Sequence, residues 1–268
     1  MLSFEILCVT TKQTDFSKIG FMNIHSNVVF ANQNESVKYE EIQIDKTHIG
    51  KMITTNTKGV GINRNISILY SSADICLLSD DDMVYSDNLE KIVLEEFEHH
   101  SKADAIIFNI ENNSVERPEK IISKSYYLHR FNKKPFGAVR IAFRRASIIK
   151  DNIFFNTLFG GGCVYQAGED SLFIKSLFDK NKKIYVSSKY IGKTNTDNSS
   201  WFNGYGSEYF YSKGAFLAAA RKKPLLAWML YYAFRLKKIS SLNFKQIMRF
   251  LKRGYRSFKL IKPFSDCE

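Results

Sequence analysis

The first two thirds of the chain alternate short apolar runs with longer amphipathic stretches. Residues 4–9, 28–31, 41–44, 74–79, 105–110 and 183–187 are β-branched or aliphatic runs, and they predict strands. Between them, 87–99 is the clearest helix: Leu89, Ile92, Val93 and Phe97 fall on one face, and Ser86 or Asp87 can cap its start. This order predicts an α/β domain around a mainly parallel sheet. In such sheets ligands sit beyond the carboxyl ends of the strands, so chemistry is sought there.

The last quarter reads differently. Residues 214–235 predict an alanine-rich helix, a break or new start at Pro224, and an apolar run over 225–234 bounded by Lys222, Lys223 and Arg235. That run is too short to span a bilayer but suits its interface. The charge supports the division. Between residues 209 and 265 there are fourteen Lys and Arg and no acidic residue, while the rest of the chain holds 25 basic against 27 acidic groups. The net charge of +12 therefore belongs to a C-terminal module, and the expected organisation is a domain over 1–211 followed by a basic helical region over 212–268. A chain of 268 residues with 44% apolar content supports one large core with such an appendage. Cys8, Cys76, Cys163 and Cys267 lie far apart with no CxxC pair, which argues against a zinc site or a disulfide framework. The opening MLSFEILCVTTK reads as a first strand and not as a signal peptide, so a reducing cytoplasm is expected. Cys267 stands too close to the end for a prenylation box.

Directly after the apolar run 75–79 come Asp80, Asp81 and Asp82. Adjacent carboxylates repel one another more strongly as the local dielectric falls, so crowding them at the rim of a core calls for a compensating cation. A hard divalent ion fits, because Mg2+ or Mn2+ takes one or two carboxylates together with waters and substrate phosphate oxygens. The plain alternative is a solvated turn that caps the next helix.

A second acidic group, Gly168-Glu169-Asp170, precedes a helix pattern of Leu172, Phe173, Leu177 and Phe178. Carboxylates at a helix start are commonly caps, which explains one of them without function. Upstream, Phe159-Gly160-Gly161-Gly162-Cys163-Val164-Tyr165 is a glycine run that lets backbone approach a ligand or simply turns the chain.

Taken in order, Lys58-Gly59-Val60-Gly61-Ile62-Asn63-Arg64-Asn65, the strand ending in Asp80-Asp81-Asp82, and Ala167-Gly168-Glu169-Asp170-Ser171-Leu172-Phe173 resemble the family 2 glycosyltransferases over about residues 4–211. Within that family the chain looks most like small bacterial enzymes of capsule, exopolysaccharide or O-antigen assembly. The resemblance implies a GT-A fold, a Rossmann-like α/β domain with a mainly parallel central sheet flanked by helices, here followed by a basic helical extension. It implies that Asp82 binds the Mn2+ or Mg2+ that bridges the donor diphosphate, and that Asp80 contacts the ribose or shares the metal shell. Asp81 stands beside them in the donor site. Asp170 is implied as the general base and Glu169 as its neighbour, positioning acceptor or loop. Arg64 and Asn65 would shape the donor pocket after Gly59 and Gly61 allow the turn into their helix, and Asn63 serves that pocket or the helix surface. Thr10 and Thr11 stand where the family's chain runs past the nucleobase. Asn32 and Gln33 occupy a place where an Asp-Asp pair is frequent, a departure that leaves UDP against GDP open. The late histidine some GT-A enzymes use as a metal ligand has no counterpart, since the last histidine is His129. Trp201 and Tyr165 are candidates to face the acceptor, although Trp201 with Phe202 and Tyr205 reads equally well as a packing patch.

The resemblance implies transfer from a nucleotide sugar, a UDP-sugar by expectation, to a saccharide or undecaprenyl-linked acceptor, with inversion by direct displacement. An anionic membrane surface at the inner face of the cell membrane is the expected partner, and nucleic acid is not. Two rival classes are weighed against this. A metal-dependent nucleotidyltransferase would use the strand-end aspartates without needing Glu169 and Asp170. A non-enzymatic nucleic-acid or membrane binder would explain the basic tail but not the acidic triplet.

Overall fold

The computed structural model describes residues 2–111, 121–131, 135–194 and 204–260. Trp201 and Cys267 lie outside the described residues. In chain order the elements are β1 (Phe4–Thr11), α1 (Lys18–Phe21), β2 (Asn27–Gln33), β3 (Lys38–Gln43), β4 (Ile49–Thr55), α2 (Val60–Tyr70), β5 (Ile75–Asp80), β6 (Met83–Tyr85), α3 (Leu89–His99), β7 (Ala105–Glu111), β8 (Tyr126–Tyr127), β9 (Ile141–Arg144), α4 (Arg145–Lys150), α5 (Glu169–Asp179), β10 (Ile184–Thr194), α6 (Ser207–Ala219), α7 (Leu225–Leu236) and α8 (Phe244–Lys259).

β1 and β5 are buried along nearly their whole length, as expected of strands with other strands on both sides and side chains covering both faces. They lie in a sheet of order β3-β4-β2-β1-β5-β9-β7-β10-β6, with β8 on β10. The run β4-β2-β1-β5 is parallel. β9 then enters antiparallel between β5 and β7, and β3 and β6 close the two edges antiparallel, so the whole sheet is mixed. Alternate residues of β1 feed different layers: Phe4, Ile6 and Cys8 pack with Val93 and Phe97 of α3, whereas Leu7 packs with Ile68 of α2 and Phe173 and Leu177 of α5. α3 begins at Leu89, preceded by Asn88 and without a side-chain cap. The two expected caps are engaged elsewhere, Asp87 accepting from Asn23 and Ser86 bonding to Ile191.

The basic C-terminal region folds back onto the sheet domain. α6 starts at Ser207, so the expected boundary between 211 and 212 falls inside a helix. Phe210 and Leu217 of α6 join Met229 and Ala233 of α7 and Ile247 and Leu251 of α8 in a core of their own. A second cluster joins this unit to the glycine run and α5, through Phe159, Tyr165, Leu172, Ala215 and Ala220 with Phe258 against them. Among the described residues no helix is long and apolar enough to cross a membrane.

α6 and α8 touch backbone to backbone at two glycines. A Cβ on Gly254 would lie 1.8 Å from the Tyr211 carbonyl oxygen, and one on Gly214 2.1 Å from that of Leu251. Neither carbonyl can move without bending its helix, so Gly254→Ala is expected to destabilise the protein by about 3 kcal/mol. Gly20→Ala, where a Cβ meets nothing within 4 Å, provides the control. Equal thermal midpoints for the two variants would contradict this packing.

Candidate active site

The carboxyl ends of β1, β2 and β5 open toward the starts of α2 and α5, and the expected residues gather there. Thr10 and Thr11 end β1, Asn32 and Gln33 end β2, and Asp80 ends β5. Two buried amide side chains, Asn63 and Asn32, fix these ends, and half-buried Asn65 fixes the neighbouring segment. Asn63 donates to the carbonyls of Thr10 (3.1 Å) and Ala31 (2.9 Å), stitching α2 to β1 and β2. Asn32, with no exposed surface, accepts from the Gln13 amide (3.0 Å) and donates to the Gln13 carbonyl (2.8 Å). It therefore shapes the loop after β1 from behind. Asn65 pairs in the same two-bond manner with the backbone of Phe155.

The start of α2 interlocks with the glycine run. Gly59 has φ +113°, where other residues are strained, and a Cβ there would lie 2.6 Å from Cys163 Sγ. A Cβ on Gly61 would lie 2.8 Å from the Asn156 carbonyl oxygen. The Val60 amide donates to the Gly161 carbonyl (2.9 Å), and Gln33 Nε2 donates to that of Gly59 (3.1 Å). Burial raises the half-buried Cys163 thiol above its ordinary value, and its Sγ lies against Gly59.

The centre of the site is Arg64, only 4% exposed. Its Nη2 donates to Asp80 Oδ1 (3.1 Å), and its Nη1 to Asp170 Oδ1 (2.8 Å) and Glu169 Oε1 (3.4 Å). Phe155 lies 5.2 Å beneath the guanidinium and is itself stacked on Phe173. Burial opposes the arginine's charge, and the carboxylates of Asp170, Asp80 and Glu169 more than offset it. Glu169 also accepts from the Gly168 amide (3.0 Å), at the start of α5. Asp170, with 25% of its side chain exposed, is pushed up to about 7. Burial is the main cause, the charge of Glu169 adds to it, and Arg64 opposes both.

The acidic triplet divides by direction. Asp80 faces Arg64 and keeps 42% of its side chain exposed. Asp81 turns toward β1 and α1, accepting from Thr10 Oγ1 (2.7 Å) with Lys18 Nζ 3.3 Å away. Asp82 is half-buried in the turn between β5 and β6. Tyr165 is placed differently from the expectation that it faces an acceptor: it is 1% exposed, with Tyr211 and Phe258 against its ring and its hydroxyl 3.2 Å from Ser257 Oγ. A ring enclosed by α6 and α8 has no face to offer a sugar. Lys18 and Phe155, which reach Asp81 and Arg64, belong to no sequence motif.

Comparison with known proteins bears on this arrangement. Residues 29–159 match the family model of glycosyl transferase family 2; Glu169 and Asp170 lie beyond the matched segment. Among solved structures, Staphylococcus aureus TarS 1–349 is similar, with 14% identity over 99% of this chain and 77% of that one, and a TM-score of 0.52. The same TarS fragment in complex with UDP-GlcNAc aligns with 17% identity over 99% and 78% of the two chains, with a TM-score of 0.54. Full-length TarS gives 15% identity over 99% of this chain but 46% of its own length, with a TM-score of 0.55. No curated protein sequence matches the chain. Residues 29–159 thus match glycosyl transferase family 2 and sit within a GT-A fold.

Proposed function

We propose that this protein transfers a glycosyl group from a nucleoside-diphosphate sugar to a saccharide or lipid-linked saccharide acceptor in bacterial surface polysaccharide synthesis, with inversion. The observation that carries the reading is the meeting of Asp80 and the Glu169–Asp170 pair on one guanidinium, that of Arg64. Two acidic motifs far apart in sequence are thereby held together by one side chain. The UDP-GlcNAc and UDP complexes of TarS support a UDP-sugar as the donor class.

The residues fit a hard divalent cation. Asp80 is substantially exposed at the end of β5, where its Oδ1 takes the Arg64 bond, and Asp82 lies two residues on in the turn to β6. Among the described residues no group of three or more His, Cys, Asp or Glu converges on a metal-sized point. An ion of this kind takes one or two carboxylates and fills its shell with water and donor phosphate. Bound there, Mn2+ or Mg2+ would neutralise charge on the departing diphosphate. The protein's own part is acid–base and positional. Asp170, pushed up to about 7, has the proton affinity of a base working near neutral pH, and it takes the acceptor hydroxyl proton as that oxygen attacks. Arg64 holds its carboxylate in place. A single displacement with one base inverts the anomeric centre.

Asp82→Ala tests the donor side. Calorimetry with UDP and Mn2+ is expected to show at least about a tenfold loss of metal-dependent affinity. Wild-type affinity together with retained turnover would sink the assignment. Pyrophosphate in place of nucleoside diphosphate as the released product would sink the reaction class.

A further inference from the structure

The charge asymmetry of the sequence becomes one continuous surface on α7 and α8. α7 turns Met229, Ala233 and Leu236 inward and exposes Leu226 (58%), Tyr231 and Phe234 (67%) on its outer side. Leu226 and Phe234 are two helical turns apart, so the exposed side chains form a stripe and not a scatter. Phe234 carries the stripe onto α8, its ring 4.9 Å from that of Phe244. Phe244 and Met248 in turn line an open groove of about 580 Å3 with Lys245, Arg249, Arg253 and Arg256. These four cations are exposed, and no Asp or Glu occurs between residues 209 and 265 to neutralise them locally.

We propose that this stripe and groove dock the protein on an anionic lipid surface. Exposed aliphatic and aromatic side chains gain from hydrocarbon, while unpaired lysines and arginines gain from phosphate; an anionic bilayer presents both, one just beneath the other. A nucleic acid would satisfy the cations and leave Leu226 and Phe234 in water. The face is rigidly joined to the proposed catalytic end, because α6 meets α8 at Gly214 and Gly254 and its Phe216 meets Gly168, next to Glu169 and Asp170. Docking would therefore hold the acceptor side at a fixed distance from the membrane.

The proposal goes beyond glycosyl transfer and is tested without donor or acceptor, so either reading can fail alone. The full chain is sedimented with phosphatidylcholine vesicles, with and without phosphatidylglycerol, at low and high salt. Anionic vesicles are expected to bind at least about tenfold more protein than neutral ones at low salt. Arg249→Glu with Arg253→Glu should remove that preference. Leu226→Ser with Phe234→Ser, at exposed positions, should lower the salt-resistant remainder by about tenfold, because apolar insertion is little screened. Circular dichroism and thermal midpoints matching wild type establish that the variants fold. Equal sedimentation with both vesicle types, or tighter binding to duplex DNA or RNA than to anionic vesicles at moderate salt, would overturn the proposal.

Discussion

Asp170→Asn is expected to lower glycosyl transfer by about 10²- to 10⁴-fold while leaving donor affinity near wild type, since asparagine keeps the shape but cannot take a proton. The pH dependence follows from the same group. A base pushed up to about 7 is deprotonated only above that value, so wild-type turnover should rise with pH through about 7 and flatten beyond it. Stability runs the other way. A carboxyl whose folded value exceeds its unfolded value costs nothing below the unfolded value, and its cost grows as pH rises toward the folded one. The variant should therefore be inactive yet no less stable than wild type at pH 8, the pattern of a group held in an unfavourable setting for chemistry. Single-turnover transfer and thermal melts measure the two effects. Retained transfer by Asp170→Asn would return Asp170 to a helix-start role at α5.

Arg64→Met is expected to cost about 3 kcal/mol, the lower part of the range for breaking a buried ion pair, because water still reaches Asp80 and Asp170. The thioether can occupy the space over Phe155 but leaves Asp80, Glu169 and Asp170 without their shared cation. Repulsion among them raises their proton affinity, so the defect should be largest above neutral pH and shrink on acidification. Arg64→Lys should fall between, because one ammonium cannot reproduce a fork that divides its donors between carboxylates of β5 and α5. Denaturant melts at pH 5 and pH 8 decide it. A pH-independent loss would mean that packing and not charge is the arginine's contribution.

The legible parts of this protein were those whose pattern is local. β1 and β5 read as strands because they are buried on both faces, so nearly every side chain is apolar. β4 did not, because Gly50 and Lys51 interrupt it; Lys51 is tolerated since its ammonium reaches buried Glu5 on β1, at 3.7 Å. β9 is four residues long, and its slot between β5 and β7 makes it a strand. At the site, both acidic motifs and the glycines around α2 were visible as residues. Their convergence on Arg64 was not, since it joins positions 16 and 106 residues apart. Tyr165 misled for the same reason: beside a glycine run it looks ligand-facing, and the helices that enclose it come later in the chain.

Gly168, with φ +122° and room for no side chain against Phe216, ties the start of α5 to α6. Phe258 of α8 closes over Phe159 and Tyr165 from the other side. On the ribosome these braces arrive late. The sheet through β10 and the start of α5 bearing Asp170 emerge first, and domains fold from the amino end as they appear. That helix start receives its final support only when α8 has cleared the exit tunnel. A nascent chain stalled before α8 would hold every residue named for the chemistry and lack the frame that keeps them in register, so competence would wait on the docking of α8.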